Sequence, residues 1–137
     1  MNRLDFCKLM EQAKIASGIS ASEISFSMRM LMPTLHRFER GKHNFNLVKV
    51  MEYLKVLHAK LVIYNKESTI TVDEYSQLVE WVVSARKDSY SQRKLAEAIG
   101  ISYVMLARVE SHKSNLSIDV FLRIVEVLGY NITIKSL

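Results

Sequence analysis

Ser91-Gln92-Arg93-Lys94-Leu95-Ala96-Glu97-Ala98-Ile99-Gly100-Ile101-Ser102, then Tyr103 to Glu110 and an amphipathic run to Leu128-Gly129, is the stretch that decides the fold. Leu95, Ala96 and Ile99 fall on one face of a helix. Gly100 ends that helix, because glycine enters the left-handed backbone region without a Cβ clash. Ser102 suits the N-cap of a second short helix, whose inward positions are Leu106 and Val109.

Two short helices joined by a glycine turn of this length make a helix-turn-helix, and the second helix is the usual DNA-reading element. A weaker copy lies 71 residues upstream. Shifting Ile19–Asn65 onto Tyr90–Ser136 without a gap gives identities at Ser20/Ser91, Leu35/Leu106, Arg37/Arg108, Glu39/Glu110, Lys42/Lys113, Asn44/Asn115, Val56/Val127, Leu57/Leu128 and Ile63/Ile134. Apolar character also keeps register, as at Ile24/Leu95, Met28/Ile99, Phe38/Val109, Leu47/Ile118 and Val50/Phe121. Amphipathic helices alone give scattered matches, but they do not also align Arg-x-Glu, Lys-x-Asn and Val-Leu pairs. The pattern reads as an internal repeat, and a repeat sets the architecture.

Working outward, Leu4–Ala16 reads as a helix with Phe6, Leu9, Met10 and Ala13 inward, ended by Ser17-Gly18. Ser20–Met28 and Pro33–Glu39 read as the next two helices, and Pro33 fits a first turn. Arg40 to Asn44 is a loop, and Asn46–Leu57 a fourth helix. Lys60–Tyr64 and Thr69–Val72 alternate as a hairpin. Asp73 is the expected cap of a helix over Glu74–Lys87, with Leu78, Val79, Trp81 and Val82 inward. Ser91–Ile99, Ser102–Glu110 and Ile118–Leu128 follow, and Tyr130–Lys135 closes as a strand. The hairpin and this last strand suit one small sheet that ties the repeats together.

Composition narrows the class. The chain has 137 residues, 49% hydrophobic and 24% charged, a globular balance. No window approaches the roughly 18 apolar residues of a membrane span. The opening Met1-Asn2-Arg3-Leu4-Asp5 has no long apolar core behind it and does not read as a secretory signal. Cys7 is the only cysteine, so no internal disulfide forms, which suits a reducing cytoplasm. Among Phe6, Leu9 and Met10 it reads as a small core residue. The net charge of +5 favours a polyanionic partner, and all of that excess lies in residues 1–70. Within 89–115, Arg93, Lys94, Arg108 and Lys113 still outnumber Glu97 and Glu110.

These residues resemble the lambda-repressor/Cro-like, or XRE, family of helix-turn-helix proteins. Ser91-Gln92, Leu95-Ala96, Gly100-Ile101-Ser102, Arg108, Glu110, Lys113 and Leu128-Gly129 carry the resemblance, which covers roughly Leu78–Gly129. His112 departs from it, standing where the family often has glycine, and the loop after the reading helix is expected to differ slightly. The resemblance implies that Gln92 touches phosphate or buttresses the reading helix. It implies that Tyr103 and Val104, behind Ser102, occupy base-edge positions. Ala107 and Arg108 lie farther along, and Lys113 and Asn115 sit in a loop that commonly meets phosphate. Arg93 adds charge beside them. Tyr103 and Val104 make no bidentate base contact; they pack on thymine methyls or present a partner surface.

In the first copy Ala21 replaces Gln92, Arg29 replaces Gly100, Leu31 replaces Ser102, and Met32-Pro33 replaces Tyr103-Val104. Such a tip reads no base edge by hydrogen bonds. The loop with Arg40, Lys42 and Asn44 is retained, and it grips phosphate or a partner. Met30-Leu31-Met32 is either an exposed interface patch or local core.

The expected fold is therefore mainly α, with two lambda-repressor-like helix-turn-helix units and a small antiparallel sheet. A degenerate unit spans 1–65 and a closer match spans 66–137. The expected function is sequence-specific binding of double-stranded DNA by a cytoplasmic transcriptional regulator or a toxin–antitoxin-type autoregulator. The rival is a protein-interaction module, or homodimer, on a scaffold that has lost DNA binding. The four histidines are scattered with no metal-ligand spacing, no glycine-rich phosphate loop is present, and no nucleophile–base pair stands out. Neither metal, cofactor nor catalysis is expected. Glu39 and Glu110 read as structural ion-pair partners, and Trp81 as core.

Overall fold

A computed structural model describes residues 1–136. Among them are eight helices and three strands: α1 Arg3–Ser17, α2 Ala21–Met28, α3 Met32–Glu39, α4 Leu47–Val56, β1 Ala59–Tyr64, β2 Thr69–Val72, α5 Tyr75–Lys87, α6 Gln92–Ile99, α7 Tyr103–Glu110, α8 Ile118–Val127 and β3 Asn131–Ser136. The architecture is mainly α with one small antiparallel sheet, ordered β2-β1-β3.

Local chemistry explains most boundaries. The side chains of Asn2, Ser20, Asn46, Ser91, Ser102 and Ser117 each accept a hydrogen bond from the backbone N–H three residues on, supplying a partner for a helix donor that has none within its helix. The start of α5 differs from the sequence expectation. Glu74, not Asp73, is its N-cap, in a box closed by Gln77, while Asp73 pairs with Lys60 across 3.0 Å. Gln77 at the third helical position favours this frame, because its amide oxygen accepts from the N–H groups of both Asp73 and Glu74.

One hydrophobic cluster joins both halves of the chain, from Phe6, Ile24 and Leu35 through Leu61 and Ile63 to Trp81, Leu106 and Phe121. Cys7 is buried there, and burial pushes its thiol pKa up. Leu9 is only half-buried against this core. Trp81 packs edge-on against Phe121 and Tyr130.

Four helices and a strand follow in the same order in each half, and β2 has no counterpart in the first. α2 and α6, α3 and α7, and α4 and α8 each share boundaries offset by 71 residues. The left-handed positions correspond as well. Arg29 (φ 53°) stands where Gly100 (φ 75°) stands, His58 (φ 55°) opposite Gly129 (φ 80°), and His112 (φ 63°) opposite Gly41 (φ 66°). The turn after α2 therefore has the left-handed backbone of the turn after α6 without a glycine. His112 likewise takes the left-handed conformation after α7.

At two places the contacts between the halves are reciprocal, while α1 packs on β3 more closely than α5 does on β1. Leu47 N–H donates to Leu116 O and Ile118 N–H donates to Phe45 O, each at 2.8 Å, around the bridge of Asn46 with Ser117. In the sheet, Leu61 faces Ile134, Val62 faces Thr133 and Ile63 faces Ile132. Exchanging residue i with residue i+71 maps each of these sets onto itself. The halves are thus related by an approximate two-fold rotation whose axis runs between Asn46 and Ser117 and between Val62 and Thr133. Across this axis α1 packs on α8 and β3, and α5 packs on α4.

Candidate nucleic-acid interface

The second-half tip is built on a rigid base. Leu95, Ala96 and Ile99 of α6 and Leu106 and Val109 of α7 are buried, fixing the angle between the two helices. The turn is closed by Ile101 N–H donating to Ala96 O at 3.0 Å, and Arg123 Nη1 donates to Ile99 O at 2.7 Å. Gly100 makes the positive φ affordable. Ser102 Oγ accepts from Met105 N–H at 3.0 Å, which uses the cap and leaves the serine exposed at the helix start.

A buried ion pair holds the far end of α7. Arg86 of α5 donates from Nε and Nη2 to the two carboxylate oxygens of Glu110, at 2.7 and 2.9 Å. Gln92 Nε2 donates to the same carboxylate at 2.9 Å, and Arg86 Nη1 to Tyr90 O at 3.1 Å. Three helices meet on one carboxylate. Gln92, expected either at phosphate or behind the reading helix, here stands behind it. Arg86 was not singled out by sequence; a charged residue on the buried side of α5, between Val82 and the helix end, was the available signal.

That base presents Tyr103, Val104 and Met105 to solvent, with Val104 62% exposed. Arg93 of α6 lies 4.4 Å from the Tyr103 ring centroid, a cation–π contact that brings its charge beside the tip. Ala107 is half-buried and Arg108 exposed. Arg108 Nε donates to Ser114 Oγ at 3.1 Å and Nη2 to Lys113 O at 3.3 Å, folding the following loop against α7. Lys113 and Asn115 are exposed on that loop. Ile101, Ser102, Met105, Asn115 and Val120 line a groove of about 300 Å³ along one flank of α7.

The first-half loop divides. Arg40 and Lys42 are exposed, and no ion pair engages either among the described residues. Asn44 is engaged instead, its Oδ1 accepting from Asp119 N–H at 3.1 Å. Arg3 completes the tie between halves, donating to both Asp119 oxygens at 3.0 and 2.6 Å and to Gly41 O at 3.2 Å. Hydrogen bonding from Arg3 is the main reason the Asp119 pKa is lowered and that of Arg3 raised. In place of the Glu110 network, Glu39 accepts from Tyr53 Oη at 2.5 Å and pairs with Lys14 at 3.1 Å. Burial, then this bond, pushes the Tyr53 phenol pKa up, so it remains a donor.

The geometry is therefore a capped helix, a tight left-handed turn and a second capped helix whose outer face is free. Residues 85–135 match a helix-turn-helix family model. The match covers α6, α7 and α8 and most of β3, the second half only. Comparison with curated proteins and with solved structures returns no significant match. Among the described residues no cluster of His, Cys, Asp and Glu is arranged to hold a metal, and no helix is long and apolar enough to cross a membrane.

An apolar patch lies on the first half, where the Met30-Leu31-Met32 run divides between surface and core. Phe26 is 87% exposed and Leu31 77%, with Met30 and Met32 half-buried between core and surface. Phe26 was legible, since Ile24 and Met28 fix the inward face of α2 and a residue midway between them points away.

Proposed function

We propose that this chain is a sequence-specific, double-stranded-DNA-binding transcriptional regulator acting in the cytoplasm. Its halves, 1–65 and 66–137, descend from a duplicated helix-turn-helix unit, and the first has diverged. The observation that carries the reading is the outward face of α7 held on a rigid helix-turn-helix base, within a region that matches that family. Tyr103 and Val104 enter the major groove and pack against base edges, the thymine methyl above all. Arg93, Arg108 and Lys113 meet phosphate, with Ser102 and Asn115 as neutral partners and Ala107 allowing close approach. Gln92 sets the pose of α7 through Glu110. Arg40 and Lys42 add phosphate contacts from the first half, and Asn44 holds their loop against α8.

The apolar character of Val104 and Met105 supports a second reading, a protein-interaction module that no longer binds DNA. Fluorescence polarisation on a random-sequence duplex at two salt concentrations separates the two. DNA binding predicts an affinity that falls steeply with salt, the log–log slope being about −0.9 per phosphate neutralised. Charge reversal of Arg40 and Lys42 together flattens that slope. No binding at low salt rejects the DNA reading and leaves the interaction module.

A further inference from the structure

We infer that α3 is a second reading tip, which recognises thymine methyl groups through Leu31, so that the single chain reads an asymmetric two-part DNA site. The inference rests on the DNA reading above. Its first support is the two-fold relation between the halves. A DNA duplex has two-fold axes perpendicular to its length. Where such an axis coincides with that of the protein, whatever approach α7 makes to one groove, α3 makes to the other.

The second support is that the first half keeps the geometry after losing the sequence. Arg29 takes the left-handed turn, and Leu31 holds the extended cap conformation (φ −64°, ψ 146°) that Ser102 holds in α7 (φ −71°, ψ 149°). Ser25 Oγ donates to Met30 O and braces the turn. The tip is thus formed and aimed like that of α7, with different chemistry on it.

That chemistry suits one feature of the groove. Leu31 makes no side-chain cap bond and stands 77% exposed, a residue that breaks the capping rule and gains no burial in return. Exposed Pro33 beside it has no N–H to donate. Base-edge donors and acceptors are out of reach of such side chains, whereas the C5-methyl of thymine is the apolar group the major groove offers. Arg29 and Arg37 flank the tip, both exposed and without an ion pair among the described residues. A positive rim around an apolar point complements the phosphate–methyl–phosphate profile of a groove wall.

The test uses the full chain and a duplex it selects from a randomised pool. Thymines are replaced one at a time by deoxyuridine, which removes only the methyl, and affinity is read by polarisation. The expected result is sensitivity in two separated segments, about fourfold per critical methyl. Leu31→Ala abolishes the sensitivity of one segment, and Val104→Ala that of the other. Leu31→Ser, which restores the cap, raises the melting temperature while losing the same sensitivity, so the loss is not misfolding. A duplex bound through one segment only, or Leu31 variants with unchanged uracil sensitivity, overturns this inference and leaves the DNA reading standing. No binding to any duplex overturns both.

Discussion

Replacing Glu110 with Gln should be among the most damaging single-atom changes in this chain. The wild-type carboxylate accepts from Arg86 twice and from Gln92 once, and Arg86 is only 7% exposed. The substitution leaves the buried guanidinium with Tyr90 O and one neutral amide oxygen as acceptors, and turns the other carboxylate oxygen into an NH2 that faces a cation. Breaking a buried pair from one side costs about 3–5 kcal/mol, because the surviving charge keeps its desolvation penalty. For 137 residues, an unfolding entropy of about 2.1 cal/mol/K per residue makes 3 kcal/mol worth about 10 °C. Gln92→Ala removes one hydrogen bond to the same carboxylate and should cost about 1 kcal/mol. Urea unfolding followed by circular dichroism reads both. The double change Arg86→Met with Glu110→Leu removes both charges and should recover most of the loss. A Glu110→Gln variant within 1 kcal/mol of wild type refutes the claim that this carboxylate organises the three helices.

Other expectations follow from the same contacts. Arg29→Gly and His112→Gly each relieve a left-handed side chain, worth about 1–2 kcal/mol, against about 0.4–1 kcal/mol of added unfolded-chain entropy, so each should stabilise by about 0.5 kcal/mol in thermal unfolding. Asp119→Asn should cost about 1 kcal/mol near neutral pH by removing the charged tie to Arg3. The pKa of Asp119 is lowered by folding, so its contribution is complete above the unfolded value, near 3.8, and is lost as pH falls through the lower folded value. Unfolding free energy measured from pH 5 to pH 2 should therefore fall less steeply in the variant. Trp81 Nε1 is buried without a partner, so Trp81→Phe loses packing but also removes an unsatisfied donor, and chemical denaturation should show a cost smaller than the roughly 3–5 kcal/mol of a large-to-small core change.

Much of this fold was legible because it is encoded locally. Ser91 and Ser102 mark helix starts, Gly100 marks the turn, and Leu95, Ile99, Leu106 and Val109 mark the buried faces. The Arg-x-Glu pairs fall at the ends of α3 and α7 and the Lys-x-Asn pairs in the loops that follow them. What escaped was non-local. Asn44 and Gln92 have the chemistry of phosphate contacts, but Asp119 N–H and Glu110, 75 and 18 residues away, claim their side chains. Nothing local marks Arg29 as a left-handed turn residue, since sequence shows the absent glycine and not the packing that holds a side chain at φ 53°. The two-fold relation needed the sheet register, because nothing local says that Val62 faces Thr133.

The central claim is that the outward face of α7 reads DNA sequence. Selection of bound duplexes from a randomised pool tests it most directly, using the wild-type chain and a Tyr103→Ala/Val104→Ala variant. The wild type should enrich a defined sequence. The variant should lose preference in one segment and retain salt-dependent affinity through Arg93, Arg108, Lys113, Arg40 and Lys42. A pool no different from the input after selection by the wild-type chain, or an identical enriched sequence from the variant, would contradict it.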